Sequence, residues 1–402
     1  MYQIPTNWTW MKLGDLADFI AGVSYSPDDI TVNGVRILRG GNIQNGVILQ
    51  KTDDVFLPMS YANSENQVRK YDTIIVSSTG SVEALAKAAT CFEDMPNTQI
   101  GAFLRIIRPK EAKYAMLVSA WCTSQYFRNY LISQAKGTSI NNIRIDFLTN
   151  FTIPVPSEIE VEEISSLYCS IEKKLLLNRQ INQNLEALAK QLYDYWFVQF
   201  DFPDENGKPY KSSGGAMVYN EKLKRDIPKG WEVKHLRDFS TICRGSIITE
   251  AQTNKGNIKV VAAAVTFSYL HDKANRKANV ITISSSGANA GYMNFWREPI
   301  FASDCITIQC DSDIDTILIF HQLELYRDAI MQKSHGSAQP HVYPTDIDCL
   351  NFVCIPNYLK NKISTLFITW NKHIANNVIE TEKLIKQRDE LLPLLMNGQV
   401  TL

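Results

Sequence analysis

Two long stretches of the chain carry apolar residues at seven-residue intervals, and both are free of glycine. This spacing predicts one long helix over residues 158–196 and another over residues 357–396. A helix of nearly 40 residues is about 55 Å long and would leave an apolar stripe exposed if it stood alone. We therefore predict that the two helices pair with each other as an antiparallel coiled coil.

The seven-residue repeat also predicts which side chains lie between the helices, at one core position and at a second one three residues later. In the first helix these are Ile164, Ile171, Asn178, Leu185 and Leu192, followed by Leu167, Ile181, Leu188 and Tyr195. In the second helix they are Ile363, Trp370, Asn377, Leu384 and Leu391, followed by Leu366 and Leu394. Asn178 and Asn377 fall near the helix centres, so we predict that they meet as a buried amide pair that fixes the register. The alternative is that both amides are exposed.

The segments that precede the two helices are copies of each other. The opening IPTNWTWMKL (4–13) returns as IPKGWEVKHL (227–236), with Ile, Pro, Trp and Leu at the same four places. Each copy ends with a proline, Pro156 or Pro356, just before the helical stretch, and the second copy is shorter by about 23 residues. A period near 200 residues is too long for a solenoid. The chain is therefore a tandem duplication of a globular part and a long helix.

The globular parts alternate short apolar runs with Gly, Ser and Asn, a pattern typical of strands and turns. Examples are VRILRGGNI (35–43), DTIIVSSTG (72–80) and VITISSSGA (280–288), and shorter helical stretches lie between such runs. We therefore predict an α+β fold. The predicted segments are a first domain at 1–156, a long helix at 157–198, a surface connection at 199–226, a second domain at 227–356, and a long helix with a tail at 357–402.

Composition limits the partners of the chain. The net charge is −1 and no segment is a basic block, so the chain alone would neutralise few phosphates. The eight cysteines form no CxxC pair, which predicts reduced core thiols and a cytoplasmic protein. No apolar run reaches the roughly 18 residues that span a bilayer, and the first residues lack the features of a signal peptide. We expect no membrane partner.

Signatures of catalysis are missing from the sequence. It contains no GxxxxGK[ST], GxGxxG, HExxH or GxSxG motif. STGS (78–81) and SSSGANAG (284–291) resemble phosphate loops in composition only. The six histidines and the scattered acids supply no evident acid–base pair or metal cluster. We therefore predict no catalytic, cofactor-binding or metal-binding residues.

Several motifs together resemble the specificity (S) subunit of type I restriction-modification systems. IPTNW and IPKGW are similar to the starts of that family's target-recognition domains, and ISSSGANAGY (283–292) with EPIFASDC (298–305) is similar to their core. The connection at 202–231 and the closing QRDELLPLLMNGQV (387–400) are also similar to the family. The likeness covers nearly the whole chain, although the first opening has TNW where a Gly before Trp is usual.

This resemblance implies two tandem α/β target-recognition domains, separated by two long helices and arranged with pseudo-two-fold symmetry. It implies a non-catalytic subunit that binds double-stranded DNA and recruits two methyltransferase (M) subunits and restriction/translocase (R) subunits. S-adenosylmethionine, ATP and Mg²⁺ would then belong to those partners. Ile159, Phe367 and Ile374, which lie off the predicted stripe, are candidates for contact with the partner subunits; the alternative is that they pack against the neighbouring globular domains. Because the domains have diverged more than the helices, we expect an asymmetric target in two halves with a gap. The alternative is a non-catalytic protein–protein scaffold with two β-rich modules on a coiled-coil strut.

Candidate DNA contacts lie in polar loops that contain glycine, because Arg, Lys, Asn and Gln read base edges while Ser, Thr and Lys hold phosphates. The loops are 78–81 and 136–144 in the first domain and 270–277, 284–291 and 333–341 in the second. The alternative for each is an ordinary solvated turn. The candidates are Ser78, Thr79, Ser81, Lys136, Thr138, Asn141, Asn142 and Arg144 in the first domain and Lys273, Arg276, Lys277, Ser285, Ser286, Asn289, Lys333, His335, Ser337, Gln339 and His341 in the second.

Overall fold

The structure is a computed structural model that describes residues 4–44, 46–135, 142–334, 341–396 and 398–399, without the side chains of residues 333, 334, 392 and 396. The chain forms two compact units. The first consists of residues 1–177 with 381–402, and the second consists of residues 178–380. Each unit therefore contains one globular domain and one half of each long helix.

The described part of the first domain combines short strands with four short α-helices. Its strands are β1 (Thr9–Lys12), β2 (Ala17–Ala21), β3 (Val35–Leu38), β4 (Ile43–Gln44), β5 (Val47–Ile48), β6 (Val55–Leu57), β7 (Thr73–Val76), β8 (Ala88–Thr90), β9 (Thr98–Ile100), β10 (Leu104–Pro109) and β11 (Thr152–Val155). Its helices are α1 (Leu13–Leu16), α2 (Ala115–Thr123), α3 (Gln125–Ala135) and α4 (Ile145–Thr149). The sheets have the orders β2-β10-β7-β8 and β6-β3-β9, and β1 pairs with β11.

The two faces of the main sheet are both covered, because successive side chains of a strand point to opposite sides. Ile75 of β7 and Ile107 of β10 pack into the cluster that contains α2. Ile74 and Ile106 pack into a second cluster on the other face. This double burial explains why β7 is a continuous apolar run in the sequence rather than an alternating one.

The segment between the two domains begins with the long helix α5 (Glu158–Tyr193) and contains the hairpin of β12 (Met217–Asn220) and β13 (Arg225–Pro228). Within the predicted surface connection at 199–226, most residues are exposed or half-buried, and only Phe200 and Phe202 are buried. Phe202 is only 2% exposed, with its ring stacked between Tyr210 and Trp231 at centroid distances of 4.7 and 5.2 Å. Turn formers dominate this segment in number, but its aromatic residues anchor it in the core of the second unit.

The second domain repeats the first. Its strands are β14 (Val233–His235), β15 (Thr241–Arg244), β16 (Ile258–Val261), β17 (Tyr269–His271), β18 (Val280–Ser284), β19 (Met293–Trp296), β20 (Ile300–Ala302), β21 (Cys305–Gln309) and β22 (Asn351–Val353). Its helices are α6 (Asp313–Glu324), α7 (Arg327–Ser334) and α8 (Pro344–Asp348), and the long helix α9 (Asn357–Met396) follows. The sheets β15-β21-β18-β19, β17-β16-β20 and β14-β22 have the same orders as in the first domain. Among the described strands, only the β4–β5 hairpin has no counterpart.

The repeated opening of each domain forms the same turn. The Trp8 N–H donates to the Pro5 carbonyl at 3.0 Å, and the Trp231 N–H donates to the Pro228 carbonyl at 3.1 Å. The Trp8 indole then donates to Glu160 of α5 at 3.1 Å. The repeated sequence thus places one tryptophan at the start of each domain, where Trp8 contacts α5 and Trp231 contacts Phe202.

The two long helices pair in an antiparallel manner within each unit, as the sequence predicts. In the first unit, Glu172 of α5 accepts from Arg388 of α9 at 2.9 Å. In the second unit, Asn178 donates to Glu380 at 2.8 Å and Asn377 donates to Asn182 at 2.9 Å. The partner number in α9 falls as the residue number in α5 rises, which defines the antiparallel direction.

The predicted amide pair of Asn178 and Asn377 needs correction. Asn178 is 1% exposed and therefore lies in the interior as predicted, but its side chain donates to Glu380. The observed register places Asn182 opposite Asn377, one helical turn away from Asn178. The two predicted partners are thus displaced from each other, and each amide has a different partner.

The second core position of the predicted repeat is wrong by one residue along most of each helix. The predicted residues Ile181, Leu188, Tyr195, Leu366 and Leu394 are 37% to 47% exposed, and Leu391 of the first core position is 41% exposed. Leu167 is the exception, since it packs beside Ile164 and Leu395 as predicted. The residues that replace them lie one position later in the repeat, and the buried ones are Tyr168, Leu175, Ala189, Phe367, Ile374 and Leu395. The reason is that each helix packs against a globular domain as well as its partner: the Tyr168 hydroxyl lies 3.2 Å from that of Thr123 in α2. Phe367 and Ile374 are buried and unavailable to partner subunits, whereas Ile159 is 74% exposed.

Candidate nucleic-acid interface

In the first domain, two polar loops that the sequence nominates separately lie side by side. The first follows β7 and comprises residues 77–81, and the second precedes α4 and includes Asn142. Ser78 and Asn142 form an isolated antiparallel bridge, and the Ile143 N–H donates to the Ser77 carbonyl at 2.7 Å. Residues 77–81 are called the serine loop below. The bridge joins two candidate DNA-contacting segments into one surface.

The second domain has the same arrangement. Its serine loop, residues 284–291, follows β18, and Ser286 forms an isolated antiparallel bridge with His341. The Val342 N–H donates to the Ser285 carbonyl at 3.0 Å. Both domains therefore build one polar face from the same two positions of the fold.

Several nominated residues lie on this face or next to it. Ser78 and Thr79 are half-buried and Ser81 is exposed, and the Thr79 hydroxyl accepts from the Ser81 N–H at 3.3 Å. Arg144 is exposed but pairs with Asp146 at 2.9 Å. Asn142 is exposed and Asn289 is half-buried. Lys136, Thr138, Asn141, His335, Ser337 and Gln339 lie outside the described residues, and so does the side chain of Lys333.

The nominated cluster at 270–277 divides into two kinds of residue. Lys273 and Lys277 are exposed, as a phosphate contact requires. Arg276 is half-buried, and its guanidinium donates to Thr307 at 2.9 Å and to the carbonyls of Asn275 and Arg244 at 2.8 and 3.1 Å. These bonds join Arg276 to the interior of its own domain.

A groove opens beside the serine loop of the first domain. It encloses about 670 Å³ between Gly40 and Gly41 on one side and the 78–80 segment on the other. Lys87, Phe103 and the apolar side chains of Ile43, Val76 and Ala84 also line it, and Phe103 is 68% exposed. Glycine at both edges leaves backbone N–H and carbonyl groups accessible to a ligand.

The serine loop of the second domain is organised around a carboxylate. The hydroxyl groups of Ser285 and Ser286 both donate to Asp304, the second at 2.5 Å. Ser285 is 1% exposed, so its hydroxyl is turned inward. Burial by itself would raise the pKa of Asp304, but these hydrogen bonds and the nearby Arg244 and His341 hold that pKa below its ordinary value.

Aromatic and cationic side chains surround this carboxylate. The His341 ring stacks on Tyr343 with centroids 6.1 Å apart, and the Arg244 guanidinium lies 5.7 Å from the centre of the same ring. Tyr343 is 50% exposed. A stack of this composition can bind phosphate through Arg244 and a base edge through His341 or Tyr343.

Strand register shows which positions correspond in the two domains. Leu104 pairs with Val76 in the first domain, and Cys305 pairs with Ser284 in the second. Phe103 therefore occupies the place of Asp304. Neither residue is among the nominated contacts, because GAFLRIIRP (101–109) and FASDCITIQC (301–310) have the apolar, β-branched pattern of strands. Comparison of the two copies is the signal that could have found them.

Other features of the described residues bear on the predicted chemistry. They contain no group of three or more His, Cys, Asp or Glu side chains placed to hold a metal ion. All eight cysteines are free, although Cys243 and Cys349 are exposed rather than in the core as predicted. Every helix in the described part of the chain is too short or too polar to cross a membrane.

The two domains are copies of one α+β scaffold, and they present unlike polar faces at the same position of the fold. The family model of the type I restriction modification DNA specificity domain matches residues 5–187 and again residues 228–379. The chain belongs to this family, as its motifs predict. Membership of a DNA-specificity family does not favour the alternative that the chain is a protein–protein scaffold.

Individual relatives agree with the family. The specificity subunit of the type I restriction enzyme MjaIX from Methanocaldococcus jannaschii is 21% identical over 424 aligned residues, which cover 99% of this chain and 94% of that protein. The EcoKI specificity subunit from Escherichia coli K12 is 26% identical over 198 residues, 47% of this chain and 42% of that protein. A crystal structure of the type I restriction-modification S subunit from M. genitalium covers 98% of both chains, with a TM-score of 0.60 and 15% identity. This structure shows that the fold is shared.

Proposed function

We propose that this chain is the DNA-specificity subunit of a type I restriction-modification complex and that it reads an asymmetric DNA target in two halves separated by a gap. One observation carries the proposal: the same loop-on-loop face occurs in both domains, but with Asn142 and Phe103 in the first and His341 and Asp304 in the second. Two copies of one frame with unlike side chains suit two unlike half-sites. A palindromic target would need matching faces instead.

The mechanism follows from the placement of polar groups. Exposed cations such as Lys273 and Lys277 hold phosphates and set the position of the duplex. Side chains on the loop-on-loop face then contact base edges, because amide and imidazole groups can donate to and accept from bases. The net charge of −1 gives little general attraction to DNA, so the partner subunits supply part of it.

The chain itself carries no chemistry in this proposal. Two methyltransferase (M) subunits and the restriction/translocase (R) subunits bind it in the cytoplasm, and S-adenosylmethionine, ATP and Mg²⁺ belong to those subunits. The chain determines where they act. The chain therefore contributes by positioning the M and R subunits on DNA. Mutations on its two loop-on-loop faces should change which DNA sequence is methylated and leave the methylation chemistry unchanged.

The test is a map of methylated DNA. The chain is expressed with the methyltransferase subunit encoded beside it in a host that lacks this modification, and methylated adenines are located by single-molecule sequencing. We expect one motif in two unequal halves with a fixed gap. A complex that forms and binds S-adenosylmethionine but methylates no defined sequence would contradict the proposal, and a palindromic motif would contradict its asymmetry.

Exchange of one domain assigns the halves. Residues 1–156 are replaced by the first domain of another family member, while the helices and the second domain are kept. We expect one half of the motif to change and the other half and the gap to stay the same. Changes in both halves would show that the domains do not read independently.

A further inference from the structure

Phe103 combines a fixed backbone with an exposed ring. Its carbonyl accepts the N–H groups of Ser77 and Ser78 at 2.9 and 3.1 Å and the Ser77 hydroxyl at 3.0 Å. The side chain is nevertheless 68% exposed. The residue thus holds the serine loop through its main chain, while its ring contributes little to the core of the domain.

The position of the ring favours contact with a ligand. Phe103 forms one wall of the groove whose other walls include Gly41, Thr79 and Gly80. Hydroxyl and backbone groups can bind phosphate or sugar there, while Ile43 and Val76 add apolar surface beside the ring. A groove of this mixed lining suits a ligand that has both polar edges and an apolar group.

The duplication supplies an independent argument. Asp304 stands at the equivalent position and accepts hydrogen bonds from its own serine loop. Asp304 is half-buried, whereas the Phe103 ring is 68% exposed. The position thus carries unlike chemistry in the two domains, as the reading of two unlike half-sites requires.

We propose that Phe103 is a specificity-determining residue of the first domain and that its ring packs against the C5 methyl group of a thymine in the first half-site. Of the four base pairs, only those with thymine carry an apolar group in the major groove, and Phe is one of the side chains that contact it. The inference rests on the proposed function. It adds the base type and the residue that reads it.

The experiment measures binding of the assembled complex to synthetic duplexes that carry the mapped target. Each thymine of the first half-site is replaced in turn by deoxyuridine, which removes the methyl group and keeps the hydrogen-bonding edge. We expect one replacement to weaken binding by the wild-type complex about four-fold, the factor that corresponds to burial of one methyl group. The same replacement should have no effect on the Phe103→Ala complex, while replacements in the second half-site should affect both complexes equally.

Two further variants separate recognition from stability. Tyr126→Ala removes an aromatic ring that is 62% exposed elsewhere in the same domain, and it should bind like the wild type. Phe103→Leu keeps an apolar surface and should retain part of the discrimination against deoxyuridine. If Phe103→Ala fails to fold, the Leu variant and the duplex series with the wild-type complex still decide the question.

The outcomes distinguish a failure of the proposed function from a failure of the assignment of Phe103 alone. A wild-type complex that binds no defined sequence refutes the proposed function itself. A wild-type complex that binds its target but is insensitive to every deoxyuridine replacement in the first half-site overturns the assignment of Phe103 alone. So does a first half-site without an A·T pair, or an Ala variant that still discriminates.

Discussion

The two domains share one strand order but differ in how their main sheet is secured. In the first domain Asp72 is 1% exposed and binds Arg108 at 2.7 Å across β7 and β10. The same positions of the second domain hold Val280 and Gln309, and the Gln309 amide donates to the Ala278 carbonyl at 3.0 Å. An ion pair and an apolar–amide pair thus support the same architecture. The apolar strand pattern specifies the sheet, and the polar contacts at the ends of its two inner strands differ between the domains.

The largest effect should come from breaking this ion pair. Asp72→Asn leaves Arg108 without its carboxylate in a mostly buried place, which should cost about 3–5 kcal/mol of stability in the first domain. The double variant Asp72→Val with Arg108→Gln carries the residues of the second domain and should be more stable than the single variant. Hydrogen exchange of the β7 and β10 peptides in the full chain measures both, with β18 and β21 as the unaffected reference. A double variant weaker than the single one would refute the equivalence.

A smaller effect, equal in both domains, should follow from a change that the scaffolds share. A Cβ on Gly22 would lie 2.1 Å from the Gly101 carbonyl oxygen, and one on Gly245 would lie 2.0 Å from the Ser303 carbonyl oxygen. Gly22→Ala and Gly245→Ala should each destabilise their own domain by about 1–3 kcal/mol through overpacking. Gly80→Ala is the matched control, since nothing lies within 4 Å of the added methyl group. Local hydrogen exchange measures the loss of stability in each variant. A loss in only one of the two domains would show that Gly22 and Gly245 are not in equivalent positions.

The smallest effect concerns pH and only the second domain. The folded state holds the pKa of Asp304 below its ordinary value. The ionised form therefore adds stability that is complete above the unfolded pKa, about 3.9, and is lost as the pH falls through the lower folded value. Protection of the second serine loop against hydrogen exchange should drop in this acidic window, relative to unfolded peptide at each pH. Asp304→Asn should show no such drop, and the first serine loop, which has Phe103 at this place, should not respond either. If protection still falls in the Asp304→Asn variant, a group other than Asp304 causes the loss.

The duplication, the strand-rich domains and the antiparallel helices could be predicted because each depends on patterns that extend over many residues. The second helical core position could not. Leu167 and Tyr168 are both apolar, as are Leu366 and Phe367, so spacing alone leaves two interpretations of each pair. The choice is made by packing against the globular domains, which the periodicity of a single helix does not contain.

The candidate site shows the same division. Ser78 and Asn142 could be nominated from local composition, and the structure brings them together in a bridge. The inward hydroxyl of Ser285 depends on Asp304, a residue 19 positions away in the bend before β21. Polar loops are thus visible in the sequence, whereas the direction in which each polar side chain points is decided by partners distant along the chain.

The shared helices have a consequence for the order in which the protein is completed during synthesis. Glu172 and its partner Arg388 are 216 residues apart, and residues 381–402 belong to the same unit as residues 1–177. A ribosome needs on the order of 10 to 40 s to add that many residues. The second unit is one continuous segment and is complete first. The first unit is therefore incomplete until the end of the chain is made, and Ile164 lacks its contact with Leu395 until α9 has been synthesised.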